Sequence, residues 1–204
     1  MLVSVRLALV LTVAAVSMTS AAARAEEGVR PTITVRVYQT AGLESSFEQR
    51  ALAEAERVLG VANIDVRWRR CHGRGHGPLV ACGLAQGPGE LSLRLLRGHA
   101  SWSSTANRLG EALVDRRAGA AVLASVYVNR VERMARVAGT DAAVLLGRVT
   151  AHELGHLLMR TAGHARRGLM RPSWTSDEVR RNRAGDWMFT ADDVAAMHQP
   201  APSP

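Results

Sequence analysis

The chain has 204 residues, 47% hydrophobic and 22% charged, which suits one domain with a sizeable core. Its formal net charge is +8, and every basic residue is an arginine. Because the arginines are spread along the chain, with no basic run interleaved with aromatic residues, this charge indicates a solvated surface and argues against a nucleic-acid partner.

The first 25 residues have the organisation of a secretory signal peptide. Arg6 precedes an apolar run from Leu7 to Val16, and Ala23-Arg24-Ala25 has the small-x-small form of a cleavage site. The run falls short of the roughly 20 apolar residues of a membrane-spanning helix. We therefore expect a mature chain that begins at Glu26, is secreted or periplasmic, and has no membrane contact. Of the net +8, Arg6 and Arg24 contribute two, which leaves +6.

Two cysteines occur, Cys71 and Cys82, in the segment CHGRGHGPLVAC. In an oxidising compartment, two lone cysteines around a glycine-rich segment predict a disulfide that closes a loop. The rival is a second metal site with His72 and His76, but its spacing matches no common zinc pattern. The stretch from Cys71 to Pro88 is expected to be a loop.

The N-terminal half of the mature chain predicts strands around one helix. Residues 33–38 (ITVRVY) alternate in character and indicate a strand, and residues 64–68 (IDVRW) indicate another. Between them, residues 43–59 have apolar positions at helical spacing, and Gly60 ends this helix. A strand, helix, strand order favours a parallel pair. Residues 91–96 predict a third strand.

The C-terminal half predicts a short helix over 107–114, a buried strand over 120–128 and one or two helical turns over 130–137. Asp141 is the expected N-cap of a long helix over 142–159.

Two capping boxes follow, beginning at Thr175 and Thr190, each with an acid three residues later. They predict two short helices that close the domain, which would run from residue 26 to 198. The Pro-containing segment 199–204 is expected to be a disordered tail.

The string HELGH, residues 152–156, lies inside the predicted long helix. Residues four apart on a helix differ by about 40° in azimuth and about 6 Å in rise, so His152 and His156 can present their imidazoles to one ion. Glu153 lies beside the first histidine and can reach a water molecule at the open coordination position. The pattern indicates a catalytic zinc site that lacks one ligand.

His164 is the first candidate for the third ligand. In a continuous helix it would lie about 18 Å from His152 along the axis, so the helix must end after His156 and the chain must turn back. Gly163 provides conformational freedom for that turn. A carboxylate at Glu178 or Asp177 is the competing ligand, although Glu178 also completes a capping box. A site with no third protein ligand stays open as well.

HELGH, the histidine that follows a glycine, and the segment 168–172 (GLMRP) resemble the metzincin zinc peptidases, and most closely their matrixin branch. The resemblance implies Zn²⁺, with His152, His156 and His164 as ligands and Met170 as the methionine of the turn beneath the metal. The metzincin pattern HExxHxxGxxH requires a glycine at 159 and a histidine at 162, where this chain has Met159 and Ala162. Its histidine therefore comes two residues late.

The segment 109–197 is also similar to uncharacterised bacterial exported zincin-like proteins. These share the late histidine, a Gly-[Ile/Leu]-Met-Arg segment and a following tryptophan, here Trp174. Both resemblances imply an α+β zincin-like single domain, with a small mixed β-sheet, a long active-site helix and C-terminal helices.

The expected function is zinc-dependent hydrolysis of peptide bonds, with Glu153 as general base and then general acid. The resemblance implies that substrate pairs with an edge strand, here within residues 120–126, so that Ala121, Val122, Leu123 and Ala124 are candidate substrate-binding residues. Arg166 and Arg167 are expected to favour acidic substrate residues. The expected partner is a peptide or protein, and the chain is expected to be a monomer. The alternative is a zinc-binding or interaction domain with the same fold and little or no turnover.

Overall fold

A computed structural model describes residues 30–71, 80–87, 89–98, 108–115 and 120–200. The predicted signal peptide and residues 201–204 of the predicted tail lie outside these ranges. No helix among the described residues has the length and apolarity needed to cross a membrane.

Five strands form one mixed sheet in the order β2-β1-β3-β5-β4. The strands are β1 (Thr32–Gln39), β2 (Asp65–Arg70), β3 (Glu90–Leu96), β4 (Gly110–Asp115) and β5 (Ala120–Tyr127). Four run parallel, and β4 pairs antiparallel with β5 at one edge. The predicted β1–β2 parallel pair and the predicted third strand are confirmed.

Six α-helices and one 3₁₀ turn complete the described fold, which confirms the α+β class. They are α1 (Ser45–Val61), α2 (Val80–Gly83), α3 (Val128–Ala138), α4 (Ala142–Leu158), α5 (Ser176–Arg181) and α6 (Ala191–Met197), with the 3₁₀ turn at Ala184–Trp187. Both predicted capping boxes are present, at Thr175 and Thr190.

The core lies between the sheet and the pair α1 and α4, which pack on each other and against the strands. The buried residues of α1 fall on one stripe at helical spacing: Ala51, Leu52, Ala55, Val58 and Leu59. Helix α4 is buried on nearly all sides, because it contacts α1, α3, β4 and β5. A helix held in this way is a rigid support for reactive side chains.

One sequence prediction about this region is wrong. Residues 110–115 form strand β4 and not a helix, although Glu-Ala-Leu-Val is favourable for helix; pairing with β5 overrides the local propensity. The helical turns predicted over 130–137 are present and belong to a longer helix of 11 residues, α3.

The predicted Cys71–Cys82 disulfide is present, with the two Cα atoms 5.7 Å apart, which rules out the rival metal site with His72 and His76. Residues that follow Cys82 contact strand β1. Arg36, 3% exposed, donates hydrogen bonds to the carbonyl oxygens of Leu84 and Ala85. The disulfide thus lies two residues before the acceptors for a buried cation.

Replacement of both cysteines with serine should lower the free energy of unfolding by about 2.8 kcal/mol, the loop-closure entropy of an eleven-residue bridge. Urea denaturation of the oxidised wild type and the double variant measures the difference. A reductant should bring the wild type to the level of the variant and leave the variant unchanged. Equal stability of the two oxidised proteins would contradict this account.

Candidate metal centre

Helix α4 brings His152 and His156 together as the sequence predicts. Asp141 caps the helix by accepting hydrogen bonds from the backbone nitrogens of Ala143 and Val144. One turn separates the two histidines, and their Nε2 atoms lie 3.1 Å apart. Both side chains are buried, at 6% and 5% exposure.

Backbone carbonyls orient both rings. The Nδ1 atom of His152 lies 2.8 Å from the carbonyl oxygen of Leu169, and that of His156 lies 2.8 Å from the carbonyl oxygen of Thr161. A carbonyl only accepts, so each Nδ1 carries the proton and each Nε2 presents a lone pair. Two lone pairs facing each other at 3.1 Å repel unless a cation lies between them. This arrangement indicates a metal site.

The chain turns back directly after α4, as the position of His164 requires. Arg160 adopts a left-handed conformation with φ of 50°, and the backbone nitrogen of Thr161 donates to the carbonyl oxygen of His156. These are the features of a Schellman motif. Gly163, predicted to make the turn, has no positive φ. The sequence therefore predicted the turn correctly and its residue wrongly.

His164 meets the other two histidines at the end of this turn. The ligand nitrogens of His152, His156 and His164 all lie within 4.8 Å of one another. The ring centroid of His164 is 4.8 Å from that of His156 and 5.5 Å from that of His152. His164 is exposed, whereas the other two are buried. Its side chain is therefore free to adjust to an ion.

The donor set fits zinc. Nitrogens at about 2.0–2.1 Å from one tetrahedral ion lie about 3.3 Å apart, close to the spacing of the two helix histidines. Three neutral imidazoles leave one coordination position open for chemistry. The competing ligands are engaged elsewhere: Glu178 completes the capping box of Thr175 and pairs with Arg171, and Asp177 pairs with Arg180.

Burial prepares the three histidines for a cation. It lowers the pKa of His152 to about 3, with a smaller effect from the neighbouring His156. Burial also lowers the pKa of His156 and that of His164. All three imidazoles are thus neutral at pH 7, so few protons compete with a metal ion there.

Met170, predicted to be the methionine of the turn beneath the metal, packs against helix α4. It is 1% exposed, and its Sδ would be 2.9 Å from a Cβ atom added to Gly155. The same added atom would be 2.7 Å from Cε1 of Phe189. The glycine of HELGH therefore lets Met170 and Phe189 pack directly against the backbone of α4.

From helix α4, the side chain of Glu153 points toward strand β4. It is 5% exposed, and a Cβ atom on Gly110 would lie 2.6 Å from its Oε1. The pKa of Glu153 is raised to about 8, mainly by burial and to a smaller extent by the charge of Glu111, against the opposing effect of Arg108. A carboxyl group with a pKa near neutrality suits proton transfer.

A cleft of about 940 Å³ opens over the histidines and Glu153. One wall contains Gly110 and Glu111 of β4 and Arg108 just before this strand. Another contains Trp174, whose ring packs edge-on against His152 with centroids 5.3 Å apart. Sequence reasoning did not place Arg108, Gly110 or Glu111 at the site. The sequence feature that could have indicated them is Gly110 within an apolar segment, because a glycine in a strand often marks a close approach to the backbone.

The predicted substrate strand is not an edge of the sheet. Residues Ala121, Val122, Leu123 and Ala124 belong to β5, which lies between β3 and β4. In the part of the sheet that the structure describes, the edge strand beside the metal centre is β4. Arg166 and Arg167 are exposed and are not among the residues that line the cleft, and their predicted preference for acidic substrate residues stays a prediction.

Of the comparisons with known proteins, the one with solved structures found similar proteins. No protein-family model matches the chain. No curated protein matches it either. Among solved structures, archaemetzincin from Methanopyrus kandleri is 20% identical over 85% of this chain and 96% of its own, with a TM-score of 0.47. A zinc-dependent peptidase from Methanocorpusculum labreanum is 14% identical over 80% of this chain and 100% of its own, with a TM-score of 0.54. The chain has the fold of this second structure.

Proposed function

We propose that the chain is an exported zinc-dependent endopeptidase. The observation that carries the proposal is the meeting of three histidine nitrogens within 4.8 Å, beside a buried glutamate, at an open cleft. Two ligands and the glutamate come from one rigid helix, and the third ligand comes from the turn that follows it. A similar fold in a protein described as a zinc-dependent peptidase supports the proposal.

The reaction assigns one task to each group. Zinc, held by His152, His156 and His164, would lower the pKa of a water molecule and polarise the scissile carbonyl. Glu153 would accept the proton from the attacking water and return it to the leaving amine. Its position one residue after His152 and its raised pKa support this role. Met170 would support the two helix histidines from below.

Substrate would bind as an extended strand along β4. Among the described strands, β4 has no partner on the side away from β5, and it lines the cleft through residues 110–112. Backbone groups of an edge strand bind a peptide through ladder hydrogen bonds. Gly110 would bring the peptide backbone close to Glu153, because no side chain separates the strand from the carboxyl group.

The second candidate is a zinc-binding or interaction domain with little or no turnover. The exposure of His164 favours it, because a loosely held third ligand need not support catalysis. The retained Glu153 opposes it, since metal binding alone requires no carboxylate there. In either case we propose a secreted or periplasmic monomer without a nucleic-acid partner. The Cys71–Cys82 disulfide supports export.

The mature chain should contain one zinc ion per molecule and should hydrolyse an unfolded protein substrate in a chelator-sensitive reaction. Replacement of His164 with alanine should weaken zinc affinity by about 10- to 100-fold, the range seen even for groups that only orient ligands. Elemental analysis and a competition titration with a zinc indicator measure both quantities. Hydrolysis that remains after zinc is removed would contradict the proposal.

His198→Ala is the matched control for that variant. His198 is an exposed histidine near the C-terminus, and among the described contacts its Nε2 donates to the carbonyl oxygen of Ala62. Its loss should leave the zinc content unchanged. Unchanged zinc affinity in the His164 variant would move the third ligand to Glu178 or Asp177.

A further inference from the structure

One face of helix α3 lines the wall of the cleft. Arg130, Arg133, Met134 and Val137 follow each other at helical spacing and all border the cavity. The opposite face of the helix packs into the core through Val128, Val131, Ala135 and Ala138. The cleft therefore has a wall made of arginine and apolar side chains, set by the orientation of α3.

Two of the four arginines that border the cleft already have partners. Arg171 pairs with Glu178, and its second nitrogen lies 3.8 Å from Asp186. Arg130 is 8% exposed, stacks over the ring of Tyr127 at 4.4 Å, and donates to the carbonyl oxygen of Arg108. These contacts hold both guanidinium groups in structural roles.

The other two, Arg108 and Arg133, are exposed and make no ion pair with any residue that the structure describes. The two carboxylates that border the cavity form no ion pair with either arginine among the described residues. Glu111 is hydrogen-bonded to Tyr127, and Glu153 packs against Gly110. In the described part of the chain, two cations thus face the cleft without an ion-pair partner, Arg108 just before β4 and Arg133 on α3.

The walls around Arg133 are apolar. Met134 is half-buried and Val137 is 61% exposed on the same side of α3, and Val149 of α4 borders the cavity one turn before His152. A ligand that fits such walls has a short apolar stem and a negatively charged end. Glutamate and aspartate side chains have this form.

We propose that the cleft selects peptides with an acidic side chain, which Arg133 binds on α3 while Arg108, just before β4, supplies a second positive charge. The inference rests on the proposed endopeptidase function, and it names the substrate class of that site. Arg133 is the specificity-determining residue because it borders the cleft without touching the histidines or Glu153.

The test compares two fluorogenic peptides that differ only by glutamate against glutamine, with the varied position moved across the residues flanking the cleaved bond. At the best position the wild type should prefer glutamate by about fivefold in kcat/KM, the size of a partly exposed ion pair. Arg133→Gln should reduce the preference to about one. About 1 M salt should do the same, because the Debye length falls to about 3 Å.

Arg136→Gln is the matched control. Arg136 lies on the same helix, is exposed, and does not border the cleft. This variant loses the same charge from α3 and should keep the fivefold preference. Loss of the preference in both variants would mean that the preference depends on the net charge of the protein, and it would overturn the assignment to Arg133.

Binding of the same peptides separates this inference from the proposed function. Fluorescence anisotropy is measured on the zinc-loaded Glu153→Gln protein, with and without Arg133→Gln. Preferential binding of the glutamate peptide through Arg133, without hydrolysis by the wild type, would support the inference and overturn the endopeptidase. Hydrolysis without a glutamate preference at any position would overturn the inference alone. If the protein shows neither hydrolysis nor preferential binding, both the inference and the proposed function are overturned.

Discussion

Glu153→Gln should lower kcat/KM for peptide hydrolysis by about 10²- to 10⁴-fold and leave one zinc ion bound, because the substitution removes a general base and touches no ligand. Glutamine fills the same volume beneath Gly110, so no cavity forms. The measurement is hydrolysis of one peptide by the wild type and the variant at equal zinc occupancy. Activity within about threefold of the wild type would assign the proton transfer to another group.

The stability of the metal-free variant provides a control on folding. Burial raises the pKa of Glu153 to about 8, so the folded protein holds this proton where the unfolded chain has lost it. The contribution of the group to stability is therefore complete below pH 4.5 and is lost as the pH rises through about 8. Glutamine does not titrate, so the variant should gain stability relative to the wild type over this window. A less stable variant at pH 9 would contradict the buried environment of Glu153.

Gly147→Ala should lower the free energy of unfolding by about 3 kcal/mol, because α1 and α4 cross at this glycine. An added Cβ atom would overlap the carbonyl oxygen of Ala51 and would lie 3.0 Å from the backbone nitrogen of Ala55. These are backbone atoms of a helix, and no side-chain rotation clears them. The helices would have to separate, which would also stretch the ion pair between Arg148 and Glu54.

Gly60→Ala is the matched substitution. Gly60 lies in the last turn of α1 with nothing within 4 Å of an added Cβ atom. Alanine there should raise stability by about 0.5–1 kcal/mol through helix propensity alone. Urea denaturation of the zinc-free proteins gives both values. Equal effects of the two substitutions would mean that the helix crossing tolerates a methyl group.

The metal centre could be predicted from the sequence where its geometry is local. The spacing of His152 and His156 on a helix, the adjacent Glu153, and the need for a chain reversal before His164 all follow from 3.6 residues per turn. The sequence did not identify the residue that makes the reversal. Arg160 adopts a left-handed conformation that is unfavourable by itself, and tertiary contacts must offset this cost. The sequence likewise did not predict the arginines of the cleft, since α3 and β4 meet α4 only in the folded chain.

The strands and helices also divide into those that the sequence predicts and those that the tertiary structure decides. Strand β1, helix α1 and the capping boxes at Thr175 and Thr190 are encoded in short windows of sequence, and the structure has them. Residues 110–115 had a helical composition and became an edge strand, because the hydrogen bonds of β5 were available to them. This placement also moved the candidate substrate edge from β5 to β4.

By itself, therefore, the sequence determined which residues share a helix face, where helices begin, and which side chains have the chemistry to bind a metal. These properties depend on contacts within a few residues along the chain. Only the tertiary structure decided the strand order, the burial that raises the pKa of Glu153, and which arginines at the cleft have no ion-pair partner among the described residues. Each of these depends on groups distant in sequence, whose pairing is settled when the sheet and the α1–α4 core assemble.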